Sequence, residues 1–171
     1  RGVNNNIAIG ALSMFANTIT GTQNVVVGTS GMYSLTSGNY NTGVGEAVMS
    51  SLTSGSYNVA MGREALDAAS TGQASTAMGY QSLTDANANG NTALGFQSGY
   101  AVSSGEYNVL LGHETGVGLT SGSYNICIGD RAGRILAGNS ENVLIGHQTG
   151  YSLTGNYNSS VGFKNLNAAT A

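Results

Sequence analysis

The chain has 171 residues and a formal net charge of −3, and only 8% of its residues are charged, against about 25% in ordinary globular domains. Its five Lys and Arg residues are scattered and form no basic stripe, which argues against binding nucleic acid through phosphates. A single cysteine, Cys127, excludes an internal disulfide, and no run of about 18 apolar residues exists to cross a membrane as a helix.

The elements follow one another as copies of a short unit, typified by Gly55-Ser56-Tyr57-Asn58-Val59-Ala60-Met61-Gly62. Its anchor recurs as Asn6, Asn24, Asn41, Asn58, Ser75, Asn91, Asn108, Asn125, Asn142 and Asn158, at intervals of 16 to 18 residues. Four residues after each anchor stands a glycine: Gly10, Gly28, Gly45, Gly62, Gly79, Gly95, Gly112, Gly129, Gly146 and Gly162. A fixed period this short predicts a parallel β-solenoid, a β-roll or β-helix of about ten turns forming one repeat domain over residues 1–171. At strand spacing such a rod is roughly 45 Å long. A disordered linker of similar composition would not hold its apolar residues in register, and 40% of this chain is hydrophobic. Because it opens on Arg1 and enters the repeat at once, the sequence reads as part of a longer fibrous protein.

Within each turn the residue after the anchor is β-branched in nine of ten copies or is Ser159, and the third residue is always apolar, from Ile9 through Met61 to Val161. These two positions share one face of a strand, and the expectation is that they fill the coil. The position between them holds Ala8, Val26, Gly43, Ala60, Ala77, Ala93, Leu110, Cys127, Leu144 and Ser160. Uncharged and mostly small, it is expected to face a neighbouring copy. The anchors are expected to act structurally, setting bends and bonding to one another as a ladder; the glycines are expected to adopt positive φ.

After each glycine come two positions rich in charge, among them Glu46, Arg63, Glu64, His113, Glu114, Asp130, Arg131, His147 and Lys164, which should point to water. A second apolar stretch follows, expected to be a second strand. It begins with Met14, Met32, Met49, Leu66 and Leu83, changes to Gly99, Gly116, Gly133 and Gly150, and returns to Leu166. Leu35, Leu52, Val102, Leu119, Leu136 and Leu153 form another inward column three residues on. Polar bends close the turns, and Tyr40, Tyr57, Tyr107, Tyr124 and Tyr157 each precede an anchor, read as turn-packing groups ahead of ligand platforms.

The chemistry of catalysis is thin. The eight acids Glu46, Glu64, Asp67, Asp85, Glu106, Glu114, Asp130 and Glu141 are scattered, and none lies in an insertion able to wall a cleft, so no catalytic residue is assigned and the chain is read as no enzyme. His113, Asp130 and His147 fall in one column on successive turns, residue types that suit a transition metal, but a solvated charge ladder is the preferred reading; no metal or cofactor is assigned. Calcium-binding Gly-Gly-x-Gly-x-Asp repeats are absent, and the Thr column needed for an ice-binding face is broken by Val and Ile.

The pattern Asn-Thr-Ala-Leu-Gly at 91–95, with Ser-Gly-Ser-Tyr-Asn-Ile-Cys-Ile-Gly at 121–129, resembles the repetitive shafts of bacteriophage tail fibres and the β-roll heads of trimeric autotransporter adhesins. The resemblance runs from Asn4 to about Asn167 and is specific for architecture. It implies a homotrimeric, elongated extracellular, cell-surface or virion fibre that spaces or presents a tip for a host-surface glycan or protein. The other reading is a self-assembling extracellular filament of the functional-amyloid kind, stacking end to end. A thin coil buries few side chains per turn, which also favours association of copies, with three around an axis preferred.

Overall fold

The structure is a computed structural model, described here over residues 4–167. It is a parallel β-solenoid: ten three-residue strands, from β1 (Ile7–Ile9) and β2 (Val25–Val27) through β3 (Thr42–Val44), β4 (Val59–Met61), β5 (Thr76–Met78), β6 (Thr92–Leu94), β7 (Val109–Leu111), β8 (Ile126–Ile128) and β9 (Val143–Ile145) to β10 (Ser159–Val161). They form a single sheet in sequence order, each parallel to the next. Equivalent residues pair throughout, for example Ile7 with Val25 across an 18-residue turn and Thr76 with Thr92 across a 16-residue turn, so the variation in turn length is absorbed outside the strands.

The anchors set the inside of the coil. Asn41, Asn58, Asn91, Asn108, Asn125 and Asn142 are buried and form the expected ladder. Asn58 Nδ2 donates to Asn41 Oδ1 at 3.1 Å and to the carbonyl of Gly72 at 2.8 Å, and the Asn58 main-chain N–H donates to the same Asn41 Oδ1 at 3.0 Å. Ser75 keeps the main-chain link, accepting from the Asn91 N–H at 3.3 Å, but has no amide to donate onward. The anchors do not make the bends by taking left-handed conformations. That role falls to the residue before them, as in Tyr40, Tyr57, Tyr107 and Tyr124, with φ of 57°, 61°, 55° and 59°.

With the anchor inside, strand alternation fixes the rest, and it reverses the expected faces. Ala60 is 1% exposed, whereas Val59 and Met61 on either side are 44% and 48% exposed. The same holds from β2 to β10: the middle residue is buried and its neighbours are not. The small middle column is therefore the core, and the larger β-branched and aliphatic columns face outward.

The second apolar stretch lines the opposite wall but is not a second strand. Its residues alternate into the left-handed region, as in Glu64 at φ 58° and Leu66 at φ 52°, a conformation that costs a non-glycine residue roughly 1–2 kcal/mol. Backbone bonding between turns offsets that cost: Glu64 N–H donates back to Glu46 O at 3.0 Å and Leu66 N–H forward to Ser82 O at 3.1 Å. From this wall Met32, Met49, Leu66 and Leu83 point inward, and Leu35, Leu52, Val102, Leu119, Leu136 and Leu153 form the expected buried column.

The change of cross-section near residue 95 is an exchange of bulk between walls. Where the strand contributes Gly43, Ala60 or Ala77, the opposite wall contributes Met49, Leu66 or Leu83; where the strand contributes Leu110, Cys127 or Leu144, the opposite wall has Gly116, Gly133 or Gly150. At the crossover both are small, Ala93 and Gly99, and a Cβ on Gly99 would lie 2.7 Å from Leu110 Cδ1 and 2.9 Å from Leu83 Cδ2. The two adjacent leucines fill that level.

Candidate interaction surface

Two outward positions on each of ten strands place twenty side chains on one continuous face. Sixteen are aliphatic, three are Thr (Thr42, Thr76, Thr92) and one is Ser159; none is charged and none is buried. This face is the principal feature that the sequence reading misplaced. β-Branched residues suit a pleated surface whichever way it faces, and apolar character alone does not distinguish a core from a face awaiting a partner.

Two columns run beside the strand. On one side, before the anchor, stand the tyrosines, which are exposed and stack on each other: Tyr40 on Tyr57 with centroids 5.0 Å apart and planes at 5°, Tyr107 on Tyr124 at 5.3 Å and 18°. Such offset contacts add about 0.5–1.5 kcal/mol beyond burial. The stacked pairs support the packing role.

On the other side, just past the glycine, eight successive turns are linked side chain to side chain. Glu46 meets Arg63 at 3.4 Å, Arg63 lies over Tyr80, Tyr80 stacks on Phe96 and Phe96 on His113. His113 Nδ1 is 2.9 Å from Asp130 Oδ1, His147 Nε2 is 3.1 Å from Asp130 Oδ2, and His147 stacks on Phe163. The column expected from the sequence is thus present, with each histidine on its own oxygen of a shared carboxylate. Among the described residues no group of three or more His, Cys, Asp or Glu side chains is arranged to hold a metal ion.

The remaining acids are mostly paired along the ladder. Glu64 bonds Arg63 at 2.6 Å and Gln81 at 2.7 Å, Asp67 accepts from Ser50, and Glu106 accepts from Asn89 at 3.0 Å. Glu114 takes Arg131 Nε at 2.8 Å and Arg134 Nε at 3.2 Å. The hydrogen bond from Arg131, reinforced by Arg134, outweighs partial burial and holds the Glu114 carboxyl below its usual range; the same bond raises Arg131. Inside the coil, burial pushes the Cys127 thiol up to about 12.

No known protein family, curated protein or solved structure matches the chain. Its fold is nonetheless that of a parallel β-solenoid, and the functional reading rests on the surface just described.

Proposed function

We propose that this chain is a structural segment of an extracellular, cell-surface or virion fibre, of the kind found in phage tail fibres and trimeric adhesins, whose solenoids associate with copies of themselves and space or present a binding tip. The observation that carries this reading is the uncharged outward face of the ten-stranded sheet. It measures roughly 45 Å by 10 Å before the flanking columns are added, as large as the largest continuous apolar patch of a typical monomer, a size that often marks an interaction site. Its twenty side chains match the roughly 20–30 residues per side of a standard protein interface.

The occupant is a second and a third copy of this chain. Side chains that recur at a strand spacing of about 4.8 Å interdigitate best with a surface of the same period, and sheets pack face to face about 10 Å apart. An uncharged face meets its own copy without like-charge repulsion, and three copies turned toward one axis cover all three faces. Most of the acids are tied to neighbours along the ladder rather than opposed across a cleft, which supports a non-enzymatic role.

Sedimentation of the purified chain tests the reading. A discrete trimer is expected, with Met61→Glu combined with Ile126→Glu dissociating it into folded monomers. A wild-type monomer at about 100 μM, well above the Kd of a specific complex, would overturn self-association, and concentration-dependent long filaments would replace the fibre by the end-to-end polymer. A double variant that remains trimeric would retain the fibre but reject this face as its interface.

A further inference from the structure

The tyrosine column is interrupted twice, and the two breaks differ. Between Tyr57 and Tyr107 the equivalent positions are Ala74 and Gly90, and Tyr107 leans over Gly90 so closely that an added Cβ would lie 2.6 Å from its Cδ1. Between Tyr124 and Tyr157 the position belongs to Glu141, and there a shallow depression of about 470 Å³, wide open to solvent, is lined by Tyr124, Glu141 and Val143, with Tyr157 beyond its lining. Tyr124 is stacked by Tyr107 on one face only, and Tyr157, one turn beyond Glu141, is 73% exposed and stacks on no ring among the described residues.

Glu141 is the unusual acid. Its main-chain N–H donates to Ser123 O at 2.9 Å, but its carboxylate has no hydrogen bond or ion pair among the described residues. Asp85, the other acid of this kind, has no aromatic neighbour in its column. Tyr124 and Tyr157 are two turns apart, or about 9.6 Å at strand spacing, so a group lodged midway would stand about 5 Å from each ring. That lies within the roughly 6 Å over which a cation is attracted to an aromatic face.

We propose that Tyr124, Glu141, Val143 and Tyr157 form a binding site for an alkylammonium group. In this site Tyr124 offers the ring face that Tyr107 does not cover, Tyr157 stands exposed one turn beyond Glu141 as the second ring, the Val143 methyls take up the alkyl substituents, and Glu141 supplies the countercharge. A methylated ammonium suits this arrangement better than a metal ion, because its charge is spread over an apolar shell and one carboxylate is too few ligands for a hard cation. One chain supplies every group, but Val143 also belongs to the face proposed above to meet other copies, at its edge beside the tyrosine column, so the titration is run on the dissociated Met61→Glu/Ile126→Glu chain as well as on the wild type.

The test is an NMR titration of the full chain with choline, set against its neutral isostere 3,3-dimethylbutan-1-ol. Choline is expected to shift the Val143 methyl and the Tyr124 and Tyr157 ring resonances saturably, with Glu141→Gln and Tyr157→Ala each weakening it about fivefold or more. Both variants use residues already found at this position in other turns, Gln23 and Ala74, so the fold is retained. Equal binding of the isostere, undiminished binding by Glu141→Gln, or no saturable shift at about 50 mM choline, the range of the weakest specific sites, would each overturn the proposal.

Discussion

Leu110 and Gly116 face each other across the coil, and a Cβ added to Gly116 would stand 2.9 Å from Leu110 Cδ2. Bulk on one wall is matched by its absence on the other. Leu110→Ala should cost about 2–5 kcal/mol as a cavity, and Gly116→Leu about 1–3 kcal/mol as overpacking. Leu is tolerated in the left-handed conformation at the equivalent Leu66 and Leu83, so the double variant should recover at least about 1 kcal/mol of the summed losses. A double-mutant cycle from denaturant melts checks this, and strict additivity would show that the walls are not coupled.

The ladder predicts a graded response at Asn108. Its amide donates to Asn91 Oδ1 at 3.0 Å and Gly122 O at 2.9 Å, and its Oδ1 accepts from the Asn125 main-chain N–H at 3.0 Å. Asn108→Ala strands buried polar groups on both sides and should cost about 2–4 kcal/mol. Asn108→Ser, which copies the natural Ser75, should cost about half as much. Equal losses for the two would mean that the side-chain acceptor contributes little.

Gly62 has φ of +132°, and a Cβ there would lie 2.5 Å from the carbonyl oxygen of Gly79 in the next turn. Gly62→Val should therefore lower the melting temperature markedly, because neither backbone can yield without breaking the stack. Arg63→Ala, one residue on, removes half-exposed contacts to Glu46, Glu64 and the Tyr80 ring and should change stability by no more than about 1 kcal/mol. The opposite ranking in thermal melts would contradict the placement of this turn.

Stability should depend on Glu114 in acid. Its folded pKa lies below the ordinary value of 4.5, so its contribution is complete above that value and is lost as pH falls through the lowered folded pKa. Glu114→Gln should flatten the decline of melting temperature below about pH 4.5 while leaving its slope above pH 6 unchanged. Parallel profiles for the two proteins would remove the assignment.

Cys127 is buried, with its thiol pushed up to about 12. It should resist a disulfide reagent at pH 8 in the folded protein and react fully in denaturant. Rapid modification of the native rod would show that the coil opens at this turn.

Much of this architecture can be read from the period alone. The ten anchors give the ten strands, though their nine intervals close about nine turns rather than ten, the aliphatic column from Leu35 to Leu153 is inward as its pattern suggests, and the charged positions after the glycines are solvent-facing or half-buried. The parity of the strand is not legible from hydrophobicity, because ranking Val59 and Met61 above Ala60 sends the wrong pair inward. Two signals carry the correct answer. A buried Asn58 forces Ala60 to its own side, and the size of the middle column changes in step with the opposite wall whereas the outward columns do not. The second wall was misread as strand because an alternating left-handed backbone also spaces side chains by two. The Glu141 site is even less visible, since it depends on which column interrupts the tyrosines and what opens beside it.

The exchange of bulk between walls also governs how such a rod can change length. A 17-residue turn duplicated or deleted between Asn41 and Ser75 brings a level with a small strand residue and a bulky opposite wall beside others of its kind, and one altered between Asn108 and Asn142 does the same for levels with the bulk on the strand and glycine opposite. Transplanting a turn from one block into the other would place bulk against bulk on one side and void against void on the other. Closely similar hydrogen bonding makes the turns look interchangeable, but their interiors divide the rod into two separately extensible segments joined at the level of Ala93 and Gly99.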